Sequence, residues 1–98
     1  MTNYQTINVE TLKSLLDQKK INLIDVREVY EYEENHIQEA VNIPLSVLAE
    51  NTDQFNKGEH YHIICRSGNR SGQASQYLSG LGIKTTNVDG GMLAWEAL

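Results

Sequence analysis

Cys65-Arg66-Ser67-Gly68-Asn69-Arg70-Ser71 is the stretch whose reading decides the rest of the chain. It follows an apolar run, Tyr61-His62-Ile63-Ile64, that reads as a short buried strand, and it leads into Ser71 to Leu81, which reads as a helix. The chain's one cysteine therefore sits where a strand ends and a helix begins. Successive backbone N–H groups of a tight loop and the free N–H groups of a helix N-terminus together form a concave anion site. A cysteine at the mouth of such a site has its thiolate stabilised. Arg66 and Arg70 add permanent positive charge, and Gly68 lets the backbone curl around an anion.

This loop resembles the active-site loop of rhodanese-like sulfurtransferases. In that family the cysteine takes a sulfane sulfur from a donor, becomes a persulfide and passes the sulfur to a nucleophilic acceptor. Two other stretches agree. Asp25-Val26-Arg27-Glu28, followed by Glu31-Tyr32, His36-Ile37, Ala40 and Asn42-Ile43-Pro44, is similar to the family's N-terminal signature. It departs at Asn35, Gln38 and Glu39, where the family commonly has glycine and Pro-Gly. Val88-Asp89-Gly90-Gly91-Met92 followed by Trp95 resembles the C-terminal signature. The resemblance runs from about residue 6 to 97 of the 98 and implies one α/β domain over residues 1–98. The implied architecture is a five-stranded, mostly parallel sheet, order 1-5-4-2-3, flanked by helices on both faces.

The spacing inside the loop separates two chemistries. Four residues lie between Cys65 and Arg70. Protein tyrosine phosphatases, and the cell-cycle phosphatases that share the rhodanese fold, place their arginine one residue further on, where this chain has Ser71. The shorter loop makes a tighter cradle, better suited to a sulfur atom riding on the cysteine than to a tetrahedral phosphate. Sulfur transfer is therefore expected ahead of phosphatase or arsenate reductase chemistry.

Composition narrows the classes further. With 98 residues the chain can bury one core. A net charge of −5 argues against nucleic acid as a partner, because phosphate binding needs a basic face. One cysteine excludes an internal disulfide and a resolving thiol, so any persulfide at Cys65 must be discharged from outside. The start, Met1-Thr2-Asn3-Tyr4-Gln5, is polar, and no run approaches the ~20 apolar residues of a membrane span. A cytoplasmic protein without membrane contact is expected.

Along the chain, Thr6-Ile7 reads as a first strand. Asn8 reads as the N-cap of a helix whose stripe is Val9, Leu12, Leu15 and Leu16, with Lys19-Lys20 at its end. Asn22 to Val26 reads as a central parallel strand, buried on both faces but for Asp25 at its C-terminal end. Ligand sites in open α/β sheets lie beyond such ends. Even so, Asp25 and Arg27 are better read as a buried ion pair supporting the loops, since a carboxylate beside an anionic sulfur is unhelpful. Glu28, Glu31, Glu33 and Glu34 read as a solvated helix face. His36 reads as hydrogen-bonded to backbone. Pro44 to Leu48 suggests a helix opening with proline, and Asn51 to Glu59 a loop with Phe55 tucked onto the core. His60 and His62 share a strand face and make half a metal site without an evident third ligand, so no metal is expected. Ala74, Tyr77, Leu78 and Leu81 form the helix face expected on the sheet, with Gly80 and Gly82 at its end. Lys84 to Val88 reads as the last strand and Met92 to Leu98 as a short helix carrying Trp95 into the core.

The resemblance then implies roles. Cys65 is the nucleophile that attacks the outer sulfur of an anionic donor such as thiosulfate and releases sulfite. Backbone N–H groups from Arg66 to Ser71 hold the persulfide, and Arg66 and Arg70 orient the donor, at least one of them also bracing the loop. Ser67, Asn69 and Ser71 support the loop with Gly68, and Ser71 caps the following helix. Cyanide or a thiol then removes the sulfur, with no metal or organic cofactor. A persulfide carrier serving a sulfur-accepting protein on another chain is the alternative.

Overall fold

The computed structural model describes residues 4–98. Met1-Thr2-Asn3, part of the polar start read above, lie outside the described residues. Five parallel strands form one sheet in the order β1-β5-β4-β2-β3: β1 Gln5–Ile7, β2 Asn22–Asp25, β3 Ala40–Asn42, β4 His60–Ile64 and β5 Lys84–Val88. The strand order is the expected one. Helices α1 Val9–Gln18, α2 Val29–Glu34 and α3 Asn69–Gly80, and the 3-10 turns at Leu45–Glu50 and Thr52–Gln54 between β3 and β4, make the crossovers, and α4 Gly91–Glu96 follows the last strand. No helix among the described residues is long and apolar enough to cross a membrane.

Alternation along the strands sends side chains to two cores. Ile24, Tyr61, Ile63 and Cys65 point to a cluster closed by Ala74 and Leu78 of α3 and by Leu48 and Phe55. Leu23, Ile64 and Val88 point to the other, closed by Val9 and Leu12 of α1 and Met92 of α4. Asn8 caps α1 as expected, its Oδ1 accepting from the Thr11 N–H at 2.9 Å. That helix stops at Gln18, so Lys19 caps it and its last turn holds no base.

Several local readings need correction. Helix α3 begins at Asn69, so Ser71 lies inside it, fully buried, and caps nothing. Its buried face is Ser71, Ala74, Ser75 and Leu78, while Tyr77 and Leu81 are exposed. The shift has a simple cause: Gly68, at φ 102°, turns the chain into the helix before the serine is reached. At the other end the Gly82 and Ile83 N–H groups bond back to Ser79 and Leu78 carbonyls, closing a Schellman motif. Pro44 precedes a 3-10 turn and stands at its cap. Trp95 is only partly buried on the second core, with Lys13 Nζ 5.9 Å from its ring centroid.

The two strand histidines stack, ring centroids 4.7 Å apart. His60 Nε2 meets Thr86 Oγ1 at 2.7 Å, whereas His62 is 8% exposed and its Nδ1 has no partner. Burial, then the charges of His60 and Lys19, push the His62 imidazole down from 6.5 to about 4. An unfolded chain takes this proton near pH 6.5 and the folded one only near 4, so acid favours unfolding. The contribution is full above pH 6.5 and is lost as pH falls toward 4. In urea titrations at successive pH values, wild type should lose about 3 kcal/mol across this window beyond what His62→Leu loses. Parallel curves for the two proteins would show that His62 does not titrate this way.

Candidate active site

Strand β4 ends at Ile64, and the next side chain, Cys65, alternates back into the first core. The sequence places the thiol at the mouth of the loop; the structure places it at the floor, with Cys65 fully buried. The Gly68 N–H points at Sγ from 3.1 Å. The thiol donates to Ser71 Oγ at 3.3 Å, and the Ser71 hydroxyl donates to Asn87 Oδ1 at 2.5 Å. Asn87 comes from the neighbouring strand β5, and its role was not visible as a motif. The signal that points to it is a run of polar residues, Thr85-Thr86-Asn87, inside a strand whose four C-terminal residues are buried.

The loop is fixed from below by α4. Met92 N–H donates to the Cys65 carbonyl at 2.8 Å and Leu93 N–H to that of Arg66 at 3.0 Å. For these bonds α4 must approach closely, which is why Gly91 stands there. A Cβ at Gly91 would fall 2.4 Å from Cys65 O and 2.5 Å from Arg66 O, and its φ of 54° is left-handed as well.

The two arginines of the loop part company. Arg70 faces α2, where its Nη1 and Nη2 donate to Glu31 Oε1 and Oε2 at 2.7 and 2.9 Å. That fork holds the Glu31 carboxyl near 2, chiefly through the Arg70 hydrogen bonds, and lifts the Arg70 guanidinium in return. Glu31 is thus a brace for the loop and not part of a solvated face. Its Oε1 also accepts the Glu28 N–H at 3.0 Å, and Glu28 Oε1 accepts from Ser46 Oγ at 2.9 Å. The Arg66 guanidinium is exposed and makes no hydrogen bond or ion pair among the described residues. Ser67 and Asn69 are also exposed.

Asp25 and Arg27 lie one shell further out. Arg27 Nε and Nη2 donate to both Asp25 oxygens at 2.7 to 3.1 Å, with Asp25 fully buried and Arg27 6% exposed. Arg27 Nη2 also reaches the Asn35 carbonyl at 2.7 Å and Nη1 the Glu31 carbonyl at 3.3 Å. The pair therefore fastens the end of β2 to the last turn of α2, and α2 in turn presents Glu31 to Arg70. His36 is apart from this site: its Nδ1 meets Tyr32 O at 2.7 Å and its ring stacks on Tyr32. Among the described residues no cluster of three or more metal-ligating groups occurs.

The arrangement offers a single recessed sulfur, a backbone N–H aimed at it, and, on the next residue of the loop, an exposed guanidinium. Comparison with known proteins points the same way. The family model for the Rhodanese-like domain matches residues 8–98. YtwF of Bacillus subtilis, named as a sulfurtransferase, is 42% identical over 91 residues, covering 92% of this chain and 88% of its own. Thiosulfate sulfurtransferase GlpE of Pseudomonas savastanoi is 31% identical over 98 residues, 99% of this chain and 92% of its own. The crystal structure of a rhodanese-like domain protein from Staphylococcus aureus superposes with a TM-score of 0.88 at 39% identity, over 93% of this chain and 90% of that one.

Proposed function

Since the chain belongs to the rhodanese-like domain family, we propose that it moves a sulfane sulfur from thiosulfate, or another persulfide donor, to cyanide or a thiol through a persulfide on Cys65. The observation that carries this reading is the buried Cys65 thiol receiving the Gly68 N–H at 3.1 Å at the junction of β4 and α3. The sulfane sulfur of thiosulfate is a terminal atom, so it can enter a recess while the sulfite end stays outside with Arg66. The Cys65 thiolate attacks that outer sulfur, the S–S bond of the donor breaks, and sulfite leaves with the electron pair. The new persulfide carries its charge on the outer sulfur, within reach of the loop's N–H groups. Cyanide then attacks the outer sulfur, thiocyanate departs, and the Cys65 thiolate is regenerated.

Arg70 supports this reading over phosphate hydrolysis. Its guanidinium is held by Glu31 through both terminal nitrogens and is not available as a clamp on phosphate oxygens. Arg66 is the cation left to orient the donor, and Asp25 and Arg27 act only through the positions of α2 and the loop.

The test is thiocyanate production from thiosulfate and cyanide, with initial rates taken over a grid of both. Double-reciprocal lines should run parallel, because the first product leaves before the second substrate reacts. Intersecting lines would mean direct transfer without a persulfide, and the absence of thiocyanate would overturn the reading.

A further inference from the structure

Beside the loop, between the end of α2 and α4, lies a cavity of about 270 Å³ whose lining includes Arg27, Glu31, Glu34, Arg66, Leu93 and Glu96. Its charges are not equivalent. Arg27 is neutralised by Asp25, and Glu31 by Arg70. Arg66 is uncommitted, Glu34 is exposed without an ion pair, and Glu96 accepts only from the neutral Asn35 amide. The cavity thus shows one free guanidinium on the loop side and two uncompensated carboxylates on the helix side. Leu93 between them is half exposed and gives an apolar wall. A volume of about 270 Å³ is just below the ~300–1,000 Å³ of drug-sized or cofactor pockets, so it suits a small metabolite.

We propose that this cavity is the subsite for the sulfur acceptor, and that the acceptor is a small zwitterionic aminothiol, a thiol carrying both an α-carboxylate and an ammonium group. The proposal rests on the sulfur-transfer reading above and names its second substrate. Arg66 takes the carboxylate, Glu34 and Glu96 take the ammonium, and the thiol reaches over Arg66 to the loop. A purely anionic acceptor would meet two carboxylates there, and a neutral one would leave all three charges unanswered. The step balances without an oxidant. The acceptor thiolate attacks the outer sulfur of the Cys65 persulfide, the Cys65 S–S bond breaks, and Cys65 leaves as thiolate. The outer sulfur, which keeps its negative charge, becomes the terminal sulfur of the acceptor's persulfide, and the proton given up by the acceptor thiol goes to water.

The experiment uses the whole chain loaded from thiosulfate, with cysteine, N-acetylcysteine and cysteine ethyl ester as acceptors and cyanide as reference. kcat/KM ratios within each protein cancel differences in folding and loading, and comparison between proteins cancels intrinsic thiol reactivity. In Glu34→Gln/Glu96→Gln the preference for cysteine over N-acetylcysteine should fall roughly threefold to tenfold. In Arg66→Met the preference for cysteine over its ethyl ester should fall by a similar factor, and the two effects should not cross over. Thiocyanate formed by the parent protein, with both preferences unchanged in the variants, would overturn the aminothiol subsite alone. No thiocyanate from the parent protein would overturn the sulfur-transfer reading, and the subsite with it.

Discussion

Cys65→Ser should abolish thiosulfate-to-cyanide sulfur transfer, a loss on the order of 10⁵-fold. The hydroxyl of serine is a far weaker nucleophile toward sulfur at neutral pH and cannot store a sulfane sulfur as a persulfide. No other residue can substitute, since the sequence holds one cysteine. The change is small in every other respect. Serine can still accept the Gly68 N–H and still meet Ser71, so the loop should keep its shape. Mass spectrometry after exposure to thiosulfate should find the added mass of one sulfur on the parent and none on the variant. Turnover surviving in a folded Cys65→Ser protein would place the chemistry at another group.

Asp25→Ala should destabilise the fold by about 3–5 kcal/mol, the cost of leaving a buried guanidinium unpaired. Arg27 is 6% exposed and donates hydrogen bonds to both Asp25 oxygens, so water cannot easily replace the lost partner. The loss should reach the active loop too. Without Asp25 the Arg27 side chain no longer fixes the Asn35 and Glu31 carbonyls, and Glu31 loses its fixed position opposite Arg70. Urea midpoints give the stability. The double variant Asp25→Leu/Arg27→Met separates the two effects: removing both charges should recover most of the stability. A single variant as stable as the parent would show that the pair is not effectively desolvated.

The sheet was legible in the sequence because its strands are short apolar runs between turn signals. The reading of Lys84 to Val88 coincides with the observed strand, and that of Asn22 to Val26 overruns its strand by one residue. The position of Cys65 followed from the same logic, since Ile63-Ile64 could only end in the loop. What stayed hidden depended on partners far apart in the chain. Arg70 and Glu31 are 39 residues apart, and nothing in either segment's periodicity announces that they meet. Glu31 sits among three other glutamates, so local charge alone favoured solvent over a half-buried fork. Asn87 was missed for a related reason: a polar residue in a strand is read against an apolar template, and its use lies in the hydroxyl beside it. Ser71 was misplaced because a serine near a helix start is usually a cap, and here glycine began the helix two residues earlier than the serine allowed.

Ser71 has one proton and two claimants. While Cys65 is a thiol, it supplies its own hydrogen to the serine oxygen, and the serine gives its proton to Asn87 Oδ1. Once Cys65 is ionised it has nothing to give and becomes the stronger acceptor. The hydroxyl must then rotate toward sulfur and release Asn87, whose buried carbonyl oxygen is left without that donor. Ionisation of Cys65 would therefore turn the Ser71 hydrogen from Asn87 of β5 toward the loop, and the sulfur's charge would be registered inside the sheet as well as in the loop. Asn87, one hydroxyl removed from the sulfur, would thereby set part of the energetic distance between its thiol and its thiolate.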